Sequence, residues 1–442
     1  MDRNRSYSRA KSVPVGRIAR LSRLGSMSAS VAGNMAINGM AQLGQGKRPE
    51  LRRLLLTPAN ARAVTNQLAH MRGAAMKVGQ LISMDSGDVL PPELAEIMAR
   101  LRSDAHFLPP PQLKKALNSN WREGWLREFE HFDVRPIAAA SIGQVHRAKL
   151  RDGRDLAIKV QYPGVADSID SDIANLGGLI RVSGLLPAGF DLAPYLEQAR
   201  QQLHEEADYL REAQNLADFH TLLEGDESFE LPVLHSDWTT TRVLTMSFVD
   251  GMPIEDVAEL PQHQRDDIAA RLIGLVLDEL FKLGTMQTDP NFANFRYDAG
   301  TDRIILLDFG ATRPIPGRIA ELYRRLLRGG LERDLAAIEA AMVGLGFMDS
   351  ETRQGHRTQL PAMVEAVFAE LQRDVLFDFA ATDLPQRMQA QGLALIEDGF
   401  QPPPLPIEVL HVQRKLGGIF LLASRLRARV PIPELLTSHL NA

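Results

Sequence analysis

The stretch Leu306-Leu307-Asp308-Phe309-Gly310 constrains this chain most. Two apolar residues run into Asp-Phe-Gly, as a buried strand does when its end presents a carboxylate. Upstream lies Asp289-Pro290-Asn291-Phe292-Ala293-Asn294, so Asn294 follows Asp289 by five residues and Asp308 follows Asn294 by fourteen. Phosphoryl transfer from a nucleotide uses such a set. One carboxylate sits beside the hydroxyl under attack, and an amide and a second carboxylate hold metal on the phosphates. With a lysine on a strand further upstream, chance is a poor explanation of the spacing.

The length of 442 residues accommodates two lobes and an extension around sizeable cores. A net charge of −5 argues against a general nucleic-acid binder, and the absence of cysteine excludes disulfides, zinc thiolate sites and thiol nucleophiles. No apolar run approaches the roughly eighteen residues of a spanning helix. Residues 1–24 carry Arg3, Arg5, Arg9, Lys11, Arg17, Arg20 and Arg23 against Asp2 alone. Such a segment reads as a disordered basic tail, a basic arm on an anionic membrane, or an Arg-rich transit peptide. Residues 25–45 are small and weakly apolar, a stretch that could dip into a membrane but for Asn34 and Asn38.

Thr57-Pro58 starts a helix whose stripe is Ala61, Val64, Leu68, Met71, Ala75, Val78 and Ile82. Gly73, Lys77, Gln80 and Met84 share the opposite side. Glycine costs helix stability and is useful where another backbone comes close, so this helix is expected to be covered on both sides. Pro91-Pro92 starts a second helix over 91–102, and Pro109-Pro110-Pro111 leads into a short one ending near Leu117. The pattern then becomes strands at 132–137, 144–150 and 155–160, with a turn at 138–143 and a hairpin at Asp152-Gly153. The third strand ends Leu156-Ala157-Ile158-Lys159, which resembles the kinase strand whose lysine holds nucleotide phosphates.

The turn Ala138-Ala139-Ala140-Ser141 stands where kinases have a glycine-rich phosphate loop. Each Cβ restricts φ and crowds the approach to phosphate. Altered nucleotide preference or poor protein phosphorylation is expected rather than loss of nucleotide binding. A single long helix is predicted over 191–222, carrying Glu205, Glu206, Asp208 and Glu212. Like charges at i,i+4 repel, so cations are expected there: Lys159 for Glu212, and Lys77 for Glu206 or Asp208. The strand in 243–251 reads as a hinge, with Ser247, Phe248 and Val249 offering backbone groups to an adenine edge. A long apolar helix at 268–283 precedes the Asp289 stretch, and a strand at 304–307 delivers Asp308. Helices are expected from there to the end, broken at Pro402-Pro403-Pro404. No Ala-Pro-Glu or long activation segment follows, and Gln287-Thr288 stand where kinases carry His-Arg.

The chain resembles the UbiB/AarF atypical kinase-like family, in particular its coenzyme Q biosynthesis branch. The resemblance rests on Lys77-Val78-Gly79-Gln80 (K-x-G-Q), the alanine loop, Leu156 to Lys159, Glu206-Ala207-Asp208 (E-x-D), Asp289 to Asn294, and Leu307 to Arg313. It implies an α+β, atypical two-lobed protein-kinase-like fold with an N-terminal helical extension packed over the active site. The corresponding segments are 1–48 (basic and flexible), 49–130 (the K-x-G-Q extension), 131–249 (the N-lobe) and 250–442 (the mostly helical C-lobe). It also implies ATP or ADP with Mg2+ or Mn2+. Lys159, oriented by Glu212, and the alanine loop would hold phosphates, Asn294 and Asp308 the metal, and Asp289 the attacking group. Lys77, with Gln80, Glu206 and Asp208, would guard the site against proteins. The expected function is a Mg-dependent kinase or ATPase supporting ubiquinone synthesis, acting on a small or lipid-linked substrate or on water. The alternative is a nucleotide-gated, non-catalytic scaffold for a quinone biosynthesis complex. Candidate partners are a lipid or quinone precursor, quinone biosynthesis proteins, a membrane touched peripherally and a second copy of the chain. The short stretch ahead of K-x-G-Q favours a bacterial cytoplasmic protein at the inner membrane, with the mitochondrial matrix as the alternative.

Overall fold

The computed structural model describes residues 71–85, 107–183 and 191–441. The basic segment 1–48, the stretch 25–45, the helix start at Thr57 and the helix at 91–102 lie outside them. The described residues divide into two compact units: those up to Gln214 with Val233–Phe248, and Asn215–Pro232 with everything from Val249 onward.

The first unit is built on an antiparallel sheet. Its strands are β1 (Phe129–Phe132), β2 (Ala138–Ala139), β3 (Gly143–Leu150), β4 (Asp155–Gln161) and β6 (Val243–Ser247), in the order β1-β3-β4-β6 with β2 also on β3. Around it lie α1 (Arg72–Asp85), α2 (Pro110–Asn118), α3 (Ile169–Ser183), α4 (Ala193–Glu206) and the start of α5 (Tyr209–Leu222). Helix α1 packs against α4 and α3. The first strand stops at Phe132 rather than running to 137. Pro136 cannot donate to the ladder and restricts Arg135 before it, and pairing resumes where Ile137 N–H meets Val145 O at 2.8 Å.

Strand alternation sorts the rest. Leu156, Ile158 and Val160 of β4 enter a core with Trp121, Trp125, Trp238 and Phe129, so Lys159 faces the other side. All three tryptophans of the chain meet there, Trp121 lying 5.0 Å from both others in edge-on contacts. The helix expected over 191–222 is two helices. Asp208 Oδ1 accepts the N–H of Arg211 at 3.0 Å and starts α5, a local bond that competes with continued helix. Gln161 Nε2 holds the break through Ala207 O at 3.0 Å.

The second unit contains a four-stranded sheet, β5 (Phe229–Glu230), β10 (Arg303–Leu306), β9 (Phe295–Asp298) and β7 (Met252–Pro253), in that order. Strands β8 (Thr285–Gln287) and β11 (Thr312–Pro314) form a separate pair. The helices are α6 (Gln262–Asp278), α7 (Gly317–Glu332), α8 (Leu335–Leu345), α9 (Gln354–Leu371), α10 (Leu384–Glu397), α11 (Ile407–Leu426) and α12 (Ile432–Leu440). The region after Asp308 is mostly helical, but β11 and the small pair β12 (Phe377–Asp378) and β13 (Arg429–Val430) interrupt it. The long helix expected to reach Leu283 changes at Glu279 into a π-helical turn, closed by Gly284 at φ 64°.

On the tryptophan side of the first sheet runs a buried polar chain. Leu108 N–H donates to Gln144 Oε1 at 2.8 Å, which leaves Gln144 Nε2 to donate to His146 Nε2 at 2.6 Å. His146 Nδ1–H in turn donates to Asp133 O at 2.7 Å. This arrangement requires neutral imidazole, and burial lowers the His146 pKa to about 4. The unfolded chain takes up the proton near pH 6.5 and the folded chain does not. Stability is therefore complete above pH 6.5 and falls by about 3 kcal/mol as pH drops to 4. Urea unfolding followed by tryptophan fluorescence should show this loss between pH 6.5 and 4. The slope should shrink in His146→Gln.

Candidate functional site

In the first unit the alternation of β4 turns Lys159 toward α5. Its Nζ lies 2.8 and 2.9 Å from the two carboxylate oxygens of Glu212 and 5.3 Å from the ring of Tyr209. Lysine and glutamate side chains are 11% and 3% exposed, so each charge depends on the other. The ring face of Tyr209 adds a cation–π contact on the helix that carries the glutamate.

A second ion pair lies at the end of α4. Lys77 Nζ meets Glu206 Oε1 at 2.5 Å, and Ser141 of the alanine loop donates its hydroxyl to the other oxygen of Glu206. Glu206 rather than Asp208 therefore receives Lys77, and Asp208 is exposed at the start of α5. Gln80 lies one turn beyond on α1. Helix α1 reaches the loop by close approach: a Cβ at Gly73 would stand 3.0 Å from Ser141 O. Met71, Ala75 and Val78 are buried on one side of α1 and Lys77 on the other, the two-sided cover expected of this helix.

The alanine loop is a tight hairpin. Ala138 and Ala139 pair with Val145 and Gln144, and Ala140 N–H closes onto Gly143 O at 2.9 Å. At the sequence-predicted hinge, Ser247 N–H donates to Val233 O and Phe248 N–H to Asp155 O, both at 2.8 Å. Those two donors are engaged within the unit.

In the second unit β10 delivers Asp308, whose Oδ1 accepts Gly310 N–H at 2.9 Å. Leu307 N–H donates to Asn294 O at 3.0 Å, tying the strand end to the turn that carries Asn294. The Phe309 ring packs 4.9 Å from Phe219 on α5, and Asn215 Nδ2 donates to Phe309 O at 2.9 Å. Asp289 Oδ1 accepts Asn291 N–H at 3.2 Å. The backbone and hydroxyl of Thr288 both bond to Ala311 O, at 3.1 and 2.7 Å. The Asp289 and Asp308 segments are thus joined by backbone through the β8–β11 pair.

Sequence reasoning missed Asn215, Glu279 and Lys415. The first two sit in helical stretches read only for their charge or apolar content. Lys415 lies far along the chain with no motif around it.

Among the described residues no cluster of three or more His, Asp or Glu could cage a metal ion. Asn294 and Asp308 offer a smaller, all-oxygen set. The Asn294 amide has a buried terminal nitrogen without a hydrogen-bond partner, and a half-turn of the amide would put Oδ1 in that place. One amide and one carboxylate fit a magnesium ion that takes its other ligands from phosphates and water.

A protein-kinase-like phosphotransferase is the class that this fold and these groups define. The model of the ABC1 atypical kinase-like domain matches residues 100–342, more than half of the chain. Atypical kinase COQ8, mitochondrial, of Saccharomyces cerevisiae is 37% identical over 97% of this chain and 85% of its own length. Atypical kinase COQ8B, mitochondrial, of Danio rerio is 34% identical over 98% of this chain and 70% of its own. The coq-8 kinase of Caenorhabditis elegans is 36% identical, with 57% of its length covered. The solved structure of Rv3197 from Mycobacterium tuberculosis, a complex with erythromycin, superposes with a TM-score of 0.60. It covers 85% of this chain and 94% of its own, and at 24% identity it speaks to the fold alone. The chain belongs to the ABC1 atypical kinase-like family, the UbiB/COQ8 family of the sequence resemblance.

The Lys159–Glu212 pair makes a direct stability prediction. Glu212→Gln removes the carboxylate charge that both Nζ contacts reach and should lower urea stability by about 3 kcal/mol. Lys159→Met with Glu212→Leu, which removes both charges, should lower it by less than Glu212→Gln does. Tryptophan fluorescence reads both.

Proposed function

We propose that this atypical kinase binds ATP and transfers its terminal phosphoryl group to a small or lipid-linked acceptor, or to water, in support of ubiquinone biosynthesis. The observation that carries the reading is the buried lysine on a sheet strand, gripped by both oxygens of a helix glutamate. An ammonium so fixed is a pre-oriented charge for polyphosphate. Lys159 holds the phosphates, and Glu212 keeps its side chain in one rotamer. Asn294 and Asp308 would hold a magnesium ion, which would neutralise charge on the phosphate oxygens. Asp289 orients the attacking hydroxyl or water and accepts its proton. Lys77, fixed to Glu206 with Ser141, keeps α1 closed on the alanine loop and denies a protein substrate that place.

The names of the relatives, COQ8 kinases called mitochondrial, support the reading toward quinone synthesis and a mitochondrial setting, with the bacterial inner membrane as the alternative. Among the described residues no helix is long and apolar enough to cross a membrane. We assign the chain a peripheral membrane contact, through which a lipid-linked acceptor would reach it.

Turnover of ATP with Mg2+ and anionic liposomes, compared with Asp308→Asn, tests the reading. The variant should lose about a hundredfold or more in turnover. Equal turnover by the two proteins rejects the assignment. Nucleotide binding without turnover by the natural chain supports a nucleotide-gated scaffold instead.

A further inference from the structure

Lys415 is 1% exposed on α11, in the interior of the second unit. Its Nζ donates to Gln287 Oε1 at 3.0 Å and lies 3.6 Å from Glu279 Oε2. The other oxygen of Glu279 accepts the backbone N–H of Gln287 at 3.1 Å. Gln287 is thereby held by both side chain and backbone, two residues before Asp289. Three residues along α11 from Lys415, and so on the same helix face, is Gly418. A Cβ at Gly418 would stand 2.1 Å from Pro290 Cβ, so α11 lies flush against the residue that follows Asp289. Pro290 has a fixed φ and transmits a push to its neighbour instead of absorbing it. Between these two contacts, Thr288 is tied to Ala311 O.

We propose that α11 is the positioning element of the Asp289 loop, with Lys415 and Gly418 as its positioning residues; this rests on the reading of Asp289 given above. A buried ion pair is a poor way to gain stability, because apolar side chains of like volume serve a core as well or better. The Lys415–Glu279–Gln287 set supplies direction. It fixes the height and tilt of β8 where that strand enters the loop. The π-helical turn that bears Glu279 aims its carboxylate back at Gln287, and such turns gather at functional sites. Neither Lys415 nor Gly418 belongs to the groups assigned to phosphate or metal. Disturbing them should alter the placement of Asp289 and leave nucleotide binding alone.

The test uses the full chain and two variants, Gly418→Ala and the charge-free pair Lys415→Met with Glu279→Gln, beside Asp289→Asn. The first crowds Pro290 without touching any charge, and the second loosens β8 without stranding one. A displacement near 1 Å at the reacting group should lower kcat for ATP turnover roughly ten- to a hundredfold in either variant. ADP affinity by calorimetry should stay within about threefold of the natural chain, the signature of a lost transition-state interaction. If Gly418→Ala fails to fold, the charge-free pair carries the same expectation. Natural kcat in a folded variant while Asp289→Asn is slow overturns the positioning role alone. So does a fall in ADP affinity parallel to the fall in kcat, which marks general damage to the unit. Natural turnover by Asp289→Asn instead rejects the reading of Asp289 itself.

Discussion

A lysine charge placed beneath a sheet has to be matched, and much of the first unit can be derived from that requirement. Lys159 is on the face of β4 opposite the tryptophan core because its neighbours Ile158 and Val160 occupy that core. A carboxylate must then arrive from a helix crossing that face. Glu212 does so from the first turn of α5, where the positive end of the helix dipole favours a carboxylate. The helix can begin there only if the one before it stops. Asp208 caps α5, and Gln161, two residues along β4 from Lys159, fixes the intervening turn at Ala207. The break in the helices and the ion pair are therefore one construction.

The same break places Glu206 as the last residue of α4, where it takes Lys77 of α1 and the hydroxyl of Ser141 together. Two cations from distant parts of the chain are thus satisfied by glutamates on either side of one turn. The alanine loop gains its shape from this arrangement. A glycine loop folds over phosphate because nothing restrains its backbone. This loop is restrained twice, by Ala140 closing onto Gly143 and by Ser141 held to Glu206. Its methyl groups narrow the backbone conformations further. A loop so fixed has fewer backbone conformations open to it than a glycine loop would have.

Much of this was legible in the sequence, wherever a local pattern met a chemical requirement. The likeness of Leu156 to Lys159 to the kinase lysine strand singled out Lys159. The i,i+4 repulsion of Asp208 and Glu212 called for a cation, and Gly73 announced a close backbone approach, found at Ser141. The strand ending in Asp308 needed only its two leucines. What stayed hidden depends on contacts made across long stretches of chain. The helix break comes from a side-chain cap that a periodicity count does not see. The hinge donors of Ser247 and Phe248 are engaged by Val233 and Asp155, which no motif connects to them. Lys415 reads in sequence as an ordinary surface lysine, since buried lysines are rare and only its partners reveal this one.

The two units treat buried charge in different ways, and the difference bears on chemistry. Each buried lysine has an aromatic ring 5.3 Å from its Nζ, Tyr209 for Lys159 and Phe295 for Lys415, but only Lys159 has a close bidentate partner that holds its charge in a fixed place. Glu279 has a looser environment. Burial raises its pKa, Lys415 opposes that only from 3.6 Å, and one of its oxygens lacks a hydrogen bond. A group meant to meet ligand charge gains from a strong, static field. One meant to hold a backbone segment needs only direction, which Glu279 supplies through the single bond to Gln287 N–H. Lys415 completes the hold by donating to Gln287 Oε1, so β8 is fixed through both side chain and backbone where it leads into Asp289.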